Sequence, residues 1–367
     1  MVYQPEKINT PKPLKAKEKT SNKISPRTIS VILSGLLLVT LIFGLSQGAY
    51  PVSIQEMLAI IFNNSTPNNE LASYLLLNIR LPRVLLGCWA GAALAVSGSA
   101  IQGLFRNPLA EPSLIGITSG GMLFAVAGIY FANTILAGLS VYFGYLTITI
   151  LSFTGSLLTT VLIYRLASFK GRTYVTTMLL AGIAITALCG ALTGLMIYFS
   201  DEEQLRDITF WTLGSLSAGT WKTIYYIIPS TTIAMIFLIR VARSLDVFIL
   251  GESEAAYLGI HIQRVKWTII FFSALAVGVC VSAMGIIGFV ALVVPHTLRL
   301  LTGTKHFPLL INSALLGAIL LVLADTLART AIAPAELPIG VITALVGAPF
   351  FIWMLLRAKE KNNLFIS

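Results

Sequence analysis

Apolar and polar stretches alternate along this chain of 367 residues at a spacing that predicts a series of membrane-crossing helices. Most of the apolar runs come close to the ~20 residues that an α-helix needs to cross a hydrocarbon layer of roughly 30 Å. The runs lie at 29–49, 84–104, 113–132, 141–164, 174–199, 223–241, 265–284, 288–302, 309–328 and 338–356. We therefore predict ten transmembrane helices. Gly285, Gly288 and Pro295 interrupt the eighth, which predicts a bend or a position partly outside the membrane.

The composition supports this interpretation. Hydrophobic residues make up 56% of the chain and charged residues 11%, and the mean hydropathy is +0.85. Too few polar groups are left to cover a water-soluble globule of this length, so an all-α polytopic membrane protein is predicted. We expect a basic disordered cytoplasmic tail at 1–28, a transmembrane domain at 29–357 and a cytoplasmic C-terminal tail at 358–367. The basic tail either contacts anionic membrane lipid or is simply solvated.

The cationic residues are distributed unevenly over the loops between these helices. Short loops that carry Lys and Arg stay on the cytoplasmic side of a membrane. If the N-terminus is inside, 20 of the 25 Lys and Arg residues fall on the inner side, or 13 without the seven of the N-terminal tail. Both termini are therefore predicted to be cytoplasmic. The cations that remain outside are Arg80, Arg83, Arg206, Lys222 and Arg329.

The formal net charge of +10 raises the question of nucleic-acid binding. The cations are spread over inner loops and the tail, however, and are not gathered on one folded face. Membrane topology accounts for them, so no nucleic-acid partner is predicted.

Three outer arginines need an explanation, because topology selects against cations on that side. Arg80 and Arg83 lie three residues apart, and Arg329 is placed on the same side. An acidic partner that docks on a basic rim would explain all three. Alternatively, Asp325 lies four residues before Arg329 and predicts an ion pair within one helix, and lipid phosphates could satisfy all three arginines.

On the inner side, the segment from Leu250 to Ile260 is amphipathic and lies between two apolar runs. Its acidic start is typical of a first helical turn, where the helix dipole favours negative charge. We expect a short helix beneath the membrane. It is either a surface cap or the place where a cytoplasmic motor pushes. We call it the 250–260 segment.

Two pairs of glycines are spaced four apart, and each pair lies on one face of a predicted helix. The pairs are Gly87 with Gly91 and Gly190 with Gly194. This spacing lets two helix backbones approach closely, either within one bundle or between two subunits.

The chain lacks the residues that would power transport. It contains no GxxxxGK[ST] phosphate-binding loop, and no inner loop is long enough for a nucleotide-binding domain. Any ATP must be bound by another chain. Asp325 and Glu336 lie near an outer boundary, so the buried relay of many ion-coupled carriers is missing. Three scattered cysteines and three scattered histidines give no metal-site spacing, and no metal site is predicted.

An ordered set of motifs resembles the FecCD-type permeases of ABC importers, over about residues 30 to 357. The motifs are Arg80-Leu-Pro-Arg83, Gly91-Ala-Ala-Leu-Ala-Val-Ser-Gly98, Gln102, Arg106-Asn-Pro-Leu-Ala110, Pro112, Leu250-Gly-Glu252, Leu258-Gly259, Gly285-Ile-Ile-Gly-Phe-Val-Ala-Leu-Val-Val-Pro-His296, Arg299, Glu336-Leu-Pro-Ile-Gly340 and Gly347-Ala-Pro349. The order of the motifs is far more specific than any one of them.

The resemblance implies an ABC importer permease bundle of the FecCD and cobalamin-importer type, in a bacterial or archaeal cytoplasmic membrane. Such a permease pairs with a second copy or a paralogue, with two cytoplasmic ATPase subunits and with an extracytoplasmic substrate-binding protein. ATP and Mg²⁺ then belong to the ATPase, and this chain has no cofactor and no catalytic residue. The implied substrates are iron chelates, either ferric siderophores or haem, ahead of cobalamin. The stretch from Gln204 to Ser215 is similar to the haem-importing branch.

The resemblance also implies roles for individual residues. Arg80, Arg83 and Arg329 match arginines that receive acidic side chains of the binding protein, and Asn107 and Leu109 match the cytoplasmic gate. The 250–260 segment matches the coupling helix that sits in the ATPase. Its assigned residues are Leu250, Gly251, Glu252, Ala255, Leu258 and Gly259. Two other classes stay open, namely an ion-coupled secondary carrier and a membrane scaffold or sensor without transport.

Overall fold

The computed structural model describes residues 24–62, 70–132, 134–143, 146–170 and 172–363, which are mostly helical. The first helices are α1 Pro26–Ser46, α2 Ile54–Ile61, α3 Glu70–Tyr74, α4 Leu81–Phe105, α5 Ile117–Tyr130, α6 Ala137–Phe143, α7 Leu146–Leu166 and α8 Val175–Tyr198. The later ones are α9 Glu202–Leu213, α10 Trp221–Arg240, α11 Ala242–Phe248, α12 Glu252–Tyr257, α13 Ile262–Met284, α14 Val290–Thr302, α15 His306–Thr330 and α16 Ile339–Asn363. A π-helical turn, Leu75–Arg80, joins α3 to α4, and a 3-10 turn, Pro112–Ile115, precedes α5. Between α7 and α8, β1 Ser168–Phe169 pairs antiparallel with β2 Arg172–Thr173.

Each of the ten apolar runs coincides with a helix in the described part of the chain. Seven helices there are long and apolar enough to cross a membrane. The shorter apolar helices are Ile117–Tyr130, Val290–Thr302 and Ile339–Trp353. The predicted class, an all-helical polytopic membrane protein, is confirmed.

Helix α4 is buried along nearly its whole length and packs against α10, α13, α14 and α15. Small residues make this possible. A Cβ on Gly91 would overlap the backbone of Gly317 in α15, and a Cβ on Gly98 would overlap the carbonyl of Ala291 in α14. A Cβ on Gly87 would lie 3.4 Å from the side chains of Leu216 and Val322. The glycine pair of α4, Gly87 and Gly91, therefore serves packing within this chain.

Helix α8 is peripheral by comparison, with only 17% of its most apolar window buried. A Cβ on Gly190 or Gly194 would meet no described atom within 4 Å. The glycine pair of α8 therefore faces away from the described bundle.

Near both ends of the chain, helices extend beyond the predicted transmembrane domain, whose bounds stay a prediction. Residues 1–23 of the expected tail lie outside the described residues, and α1 begins at Pro26. Helix α16 continues to Asn363, past the predicted boundary at residue 357, because the run of Lys, Glu and Ala that follows consists of good helix formers. The interrupted eighth run becomes the short helix α14, with Phe289 at a φ of 67° before it and Pro295 inside it.

Candidate functional site

The local structure brings the three outer arginines together. Arg80 ends the π-helical turn, and Arg83 lies in the first turn of α4 beside Pro82. Arg329 lies in the last turn of α15. Helices α4 and α15 pack antiparallel, with Gly91 beside Gly317 and Ser99 bonded to Ser313, so the start of α4 meets the end of α15.

Asp325 lies at the centre of the outer arginine cluster, which comprises Arg80, Arg83 and Arg329 with Asp325 and Glu336. Asp325 Oδ1 is 2.9 Å from Arg83 Nη2, and Asp325 Oδ2 is 3.0 Å from Arg329 Nε. The two terminal nitrogens of Arg83 also donate to the two carboxylate oxygens of Glu336, at 3.0 and 2.9 Å. Such bidentate pairs are the strongest form of this contact.

The end of α1 supplies further acceptors to the cluster. Arg80 donates to the carbonyls of Leu45 and Ser46, both at 2.9 Å, and to that of Tyr50. Arg329 donates to the carbonyls of Gly44 and Gln47, both at 3.0 Å. The last carbonyls of a helix lack partners within it and carry its negative end. The arginines therefore cap α1.

The structure contains the predicted ion pair within α15, between Asp325 and Arg329. Docking of an acidic partner and contact with lipid phosphates stay predictions. Arg80, Arg83 and Arg329 are only 5%, 8% and 7% exposed, and all three are engaged internally. The carboxylate of Glu336 is the accessible part of the cluster, with its side chain 42% exposed. Sequence reasoning missed this carboxylate as a partner of Arg83, because the two residues are 253 positions apart.

The predicted gate residues lie in the turn that follows α4 on the predicted inner side. Arg106 adopts a φ of 49° and ends the helix, and Asn107 Oδ1 accepts the backbone N–H of Leu109 at 2.9 Å. Leu109 is 43% exposed. An open cavity of about 430 Å³ adjoins this turn. The residues that line it are Gln102, Gly103, Arg106, Asn107, Pro108, Ile249, Arg299, Thr304 and His306.

Glu111 lies just beyond the gate turn. Burial raises the pKa of this carboxyl, and a hydrogen bond from the Ser113 hydroxyl opposes that shift. Among the described residues, no Lys or Arg lies within ion-pair distance of it. Nearby apolar side chains belong to Leu94, Val277 and Ile287.

The 250–260 segment contains the expected short helix, α12, and this prediction is confirmed. Gly251 and Gly259, with φ of 129° and 84°, bound it in a conformation that glycine adopts without strain. Ala255 is fully buried, whereas Leu250 and Leu258 are each 65% exposed and Tyr257 is 92% exposed. An exposed apolar patch on a polar face is typical of a contact surface for another protein.

A groove of about 870 Å³ lies between α12 and the β1–β2 hairpin. Its cationic lining residues are Lys170, Arg172 and Arg264. The sequence did not predict this hairpin, because strands of two residues leave no periodic pattern.

No candidate metal site emerges from these residues. Within the described ranges, no group of three or more His, Cys, Asp or Glu side chains is arranged to hold a metal ion. Cys88, Cys189 and Cys280 are buried and unpaired with one another.

Comparison with known proteins agrees with this architecture. The model of the FecCD transport family matches residues 36–357. The hemin transport system permease protein HmuU of Yersinia pestis is 40% identical over 347 residues, covering 94% of this chain and 99% of that protein. The vitamin B12 import system permease protein BtuC of Vibrio cholerae is 40% identical over 292 residues, covering 80% of this chain and 86% of that protein.

A solved structure described as an inward-facing conformation of a metal-chelate type ABC transporter superposes with a TM-score of 0.77. It is 31% identical in sequence, and the match covers 90% of this chain and 99% of that one.

The helical bundle defines a polytopic membrane protein, and the family match identifies it as the permease subunit of an ABC transporter, which is not itself an enzyme. The chain belongs to the FecCD transport family. Its importer uses ATP on a partner ATPase and works with a substrate-binding protein.

Proposed function

We propose that this chain is the permease through which an iron chelate, either a ferric siderophore or haem, enters the cell. The single observation that carries this proposal is the similarity to the hemin permease, which extends over nearly the full length of both chains. The vitamin B12 permease is equally identical over a smaller share of the chain, so cobalamin is the second candidate.

Uptake by the reconstituted importer tests this function. The permease is placed in proteoliposomes with its ATPase and binding protein, and labelled ferric siderophore, haem and cobalamin are offered side by side with ATP and Mg²⁺. We expect accumulation of an iron chelate that requires ATP. Preference for cobalamin would support the second candidate.

The same vesicles separate the other classes. Accumulation driven by an ion gradient through this chain alone would identify a secondary carrier. A complex that transports none of the three compounds, although it is folded and hydrolyses ATP, would favour a scaffold or sensor.

We propose that the binding protein docks on the outer arginine cluster by exchange of carboxylates. Arg80, Arg83 and Arg329 are engaged internally, so an incoming acid needs a site that can be vacated. Glu336 occupies such a site, because its partly exposed side chain pairs with Arg83, whereas the buried Asp325 pairs with both Arg83 and Arg329. A carboxylate of the binding protein would replace that of Glu336 as the partner of the Arg83 guanidinium group.

Glu336→Gln tests the exchange. Freeing Arg83 from its accessible acid should raise the affinity for the binding protein about three- to fivefold, the size of one exposed ion pair, and should steepen its salt dependence. Glu202→Gln, which removes an exposed acid from the first turn of α9, is the matched control and should change the affinity less than about twofold. Equal affinity of Glu336→Gln and the parent would contradict exchange at Arg83.

Three further proposals concern the cytoplasmic gate, the contact with a second permease and the contact with the ATPase. We propose that Asn107 and Leu109 form the cytoplasmic gate, and that the open face of α8 with Gly190 and Gly194 meets a second permease copy or a paralogue. We further propose that the 250–260 segment seats in the ATPase, with Leu250, Leu258 and the neighbouring Tyr257 as its contacts. This arrangement places both termini in the cytoplasm and the bundle in the cytoplasmic membrane, where lipid surrounds it.

A further inference from the structure

The strongest observation not yet used is a buried lysine at the start of α13. Lys266 is only 2% exposed. Its Nζ donates to the carbonyl of Thr173 at 2.6 Å and to Glu252 Oε2 at 2.7 Å. A lysine is rarely buried unless it is paired, because its ammonium loses hydration. This one is held by one full charge and one carbonyl.

Those two partners belong to different elements. Glu252 is the first residue of α12, and Thr173 ends strand β2. Within the described residues, the Lys266–Glu252 pair is the one side-chain hydrogen bond that joins α12 to α13. Gln263, one turn before Lys266, accepts from the Thr173 hydroxyl at 3.0 Å and strengthens the attachment of the hairpin.

Helix α13 extends from this junction to the outer side of the bundle. Its last residue, Met284, accepts the backbone N–H of Ser215 at 2.8 Å, in the loop between α9 and α10. The carbonyl of Gly214 accepts the N–H of Ile339, which begins α16. One helix therefore connects the 250–260 segment with the outer loop and the start of α16.

We propose that Lys266 is a positioning residue that fastens the 250–260 segment to α13, so that displacement of this segment by the ATPase moves α13. The proposal rests on the proposed function, in which this segment meets the ATPase. If α12 were held only by its apolar contacts, it could tilt beneath the membrane without pulling α13. The buried ion pair removes that freedom, and the carbonyl of Thr173 moves the hairpin with it. Energetic coupling requires such a contact to be shared by two arrangements of the bundle.

The test uses the whole importer in proteoliposomes and measures chelate transported per ATP hydrolysed. Lys266→Met should lower this ratio about tenfold, within the usual range of coupling energies, while ATP hydrolysis changes less than about twofold. Lys266→Arg keeps the cation and should restore most of the ratio. Arg243→Met, which removes an exposed inner cation from α11, is the control and should leave the ratio unchanged.

Glu252→Gln breaks the same ion pair from its other side, and it provides the test if Lys266→Met fails to fold. The side chain of Glu252 is 40% exposed, so neutralising it leaves no cavity. It should lower the same ratio, and the double variant should lose no more than Lys266→Met alone, because both act through one contact. Full coupling in Glu252→Gln, or additive losses in the double variant, would overturn the proposal. An unmodified importer that moves no chelate at all would instead overturn the proposed function.

Discussion

The outer arginine cluster and the 250–260 segment lie at opposite ends of one helical bundle, and they differ in which side chains are buried and which are exposed. At the outer face, charged groups that could bind a partner are buried and satisfied by one another and by the end of α1. At the predicted inner face, the large side chains of Leu250, Tyr257 and Leu258 are exposed, while Ala255 is buried and Glu252 pairs with Lys266.

This difference distinguishes side chains that stabilise the fold from side chains that are available to bind another protein. Buried guanidinium and carboxylate groups are stable only with their counterparts, so the outer cluster contributes to the fold. Exposed Leu and Tyr side chains contribute nothing to folding and become useful when another protein covers them. Removing a residue at the outer face should therefore change stability, and removing one at the inner face should change association.

Asp325→Asn should produce the largest effect. It leaves Arg83 and Arg329 buried side by side without the carboxylate between them, and breaking a buried pair in this way costs about 3–5 kcal/mol. We expect a loss of that size in the free energy of unfolding, measured by denaturant titration in mixed micelles. Glu336→Gln is the control at the exposed end of the cluster and should cost about 1 kcal/mol or less. Equal losses in the two variants would contradict the distinction between the buried carboxylate of Asp325 and the exchangeable carboxylate of Glu336.

Leu258→Asp should give the reverse result. The affinity for the ATPase should fall about 30-fold, or about 2 kcal/mol, because a carboxylate would replace a central apolar contact. The free energy of unfolding should change by less than about 0.5 kcal/mol, since the side chain is exposed. Leu258→Met keeps the apolar contact and should bind within about twofold of the parent. A stability loss without weaker association would show that the segment is a passive cap.

The sequence was sufficient for features that depend on neighbouring residues. The length of each apolar run predicts its helix, and the acidic start of the 250–260 segment predicts α12. It was insufficient where partners come from distant parts of the chain. The sequence predicts Arg80 and Arg83 as outer cations, which stays a prediction, and it could not show their burial, which depends on the last carbonyls of α1 and on acids far along the chain.

Lys266 shows the same limit on the inner side. In the sequence it is one of 20 cations that support the topology, with nothing to distinguish it from Arg264 two residues earlier. Only the fold reveals that Lys266 is buried while Arg264 is exposed. The π-helical turn before α4 and the hairpin were missed because neither has a periodic pattern of its own.

Glu111→Gln is expected to give the smallest effect. Glu111 is a partly buried carboxylate that, among the described residues, has no arginine partner, whereas Asp325 and Glu336 each pair with one in the outer arginine cluster. Burial raises its pKa, so the native state resists its ionisation more than the unfolded chain does. The resulting penalty is absent below the ordinary Glu pKa of about 4.3 and grows as the pH rises through the raised native pKa. The neutral amide avoids this penalty, so Glu111→Gln should stabilise the protein at pH 8 by about 0.5–1.5 kcal/mol, as expected for one polar group.

Near pH 4 the Glu111→Gln variant and the parent should have the same free energy of unfolding. A stabilisation of equal size at both values would mean that packing, and not charge, distinguishes the two side chains; a loss at pH 8 would mean that the ionised carboxylate has a partner that stabilises it.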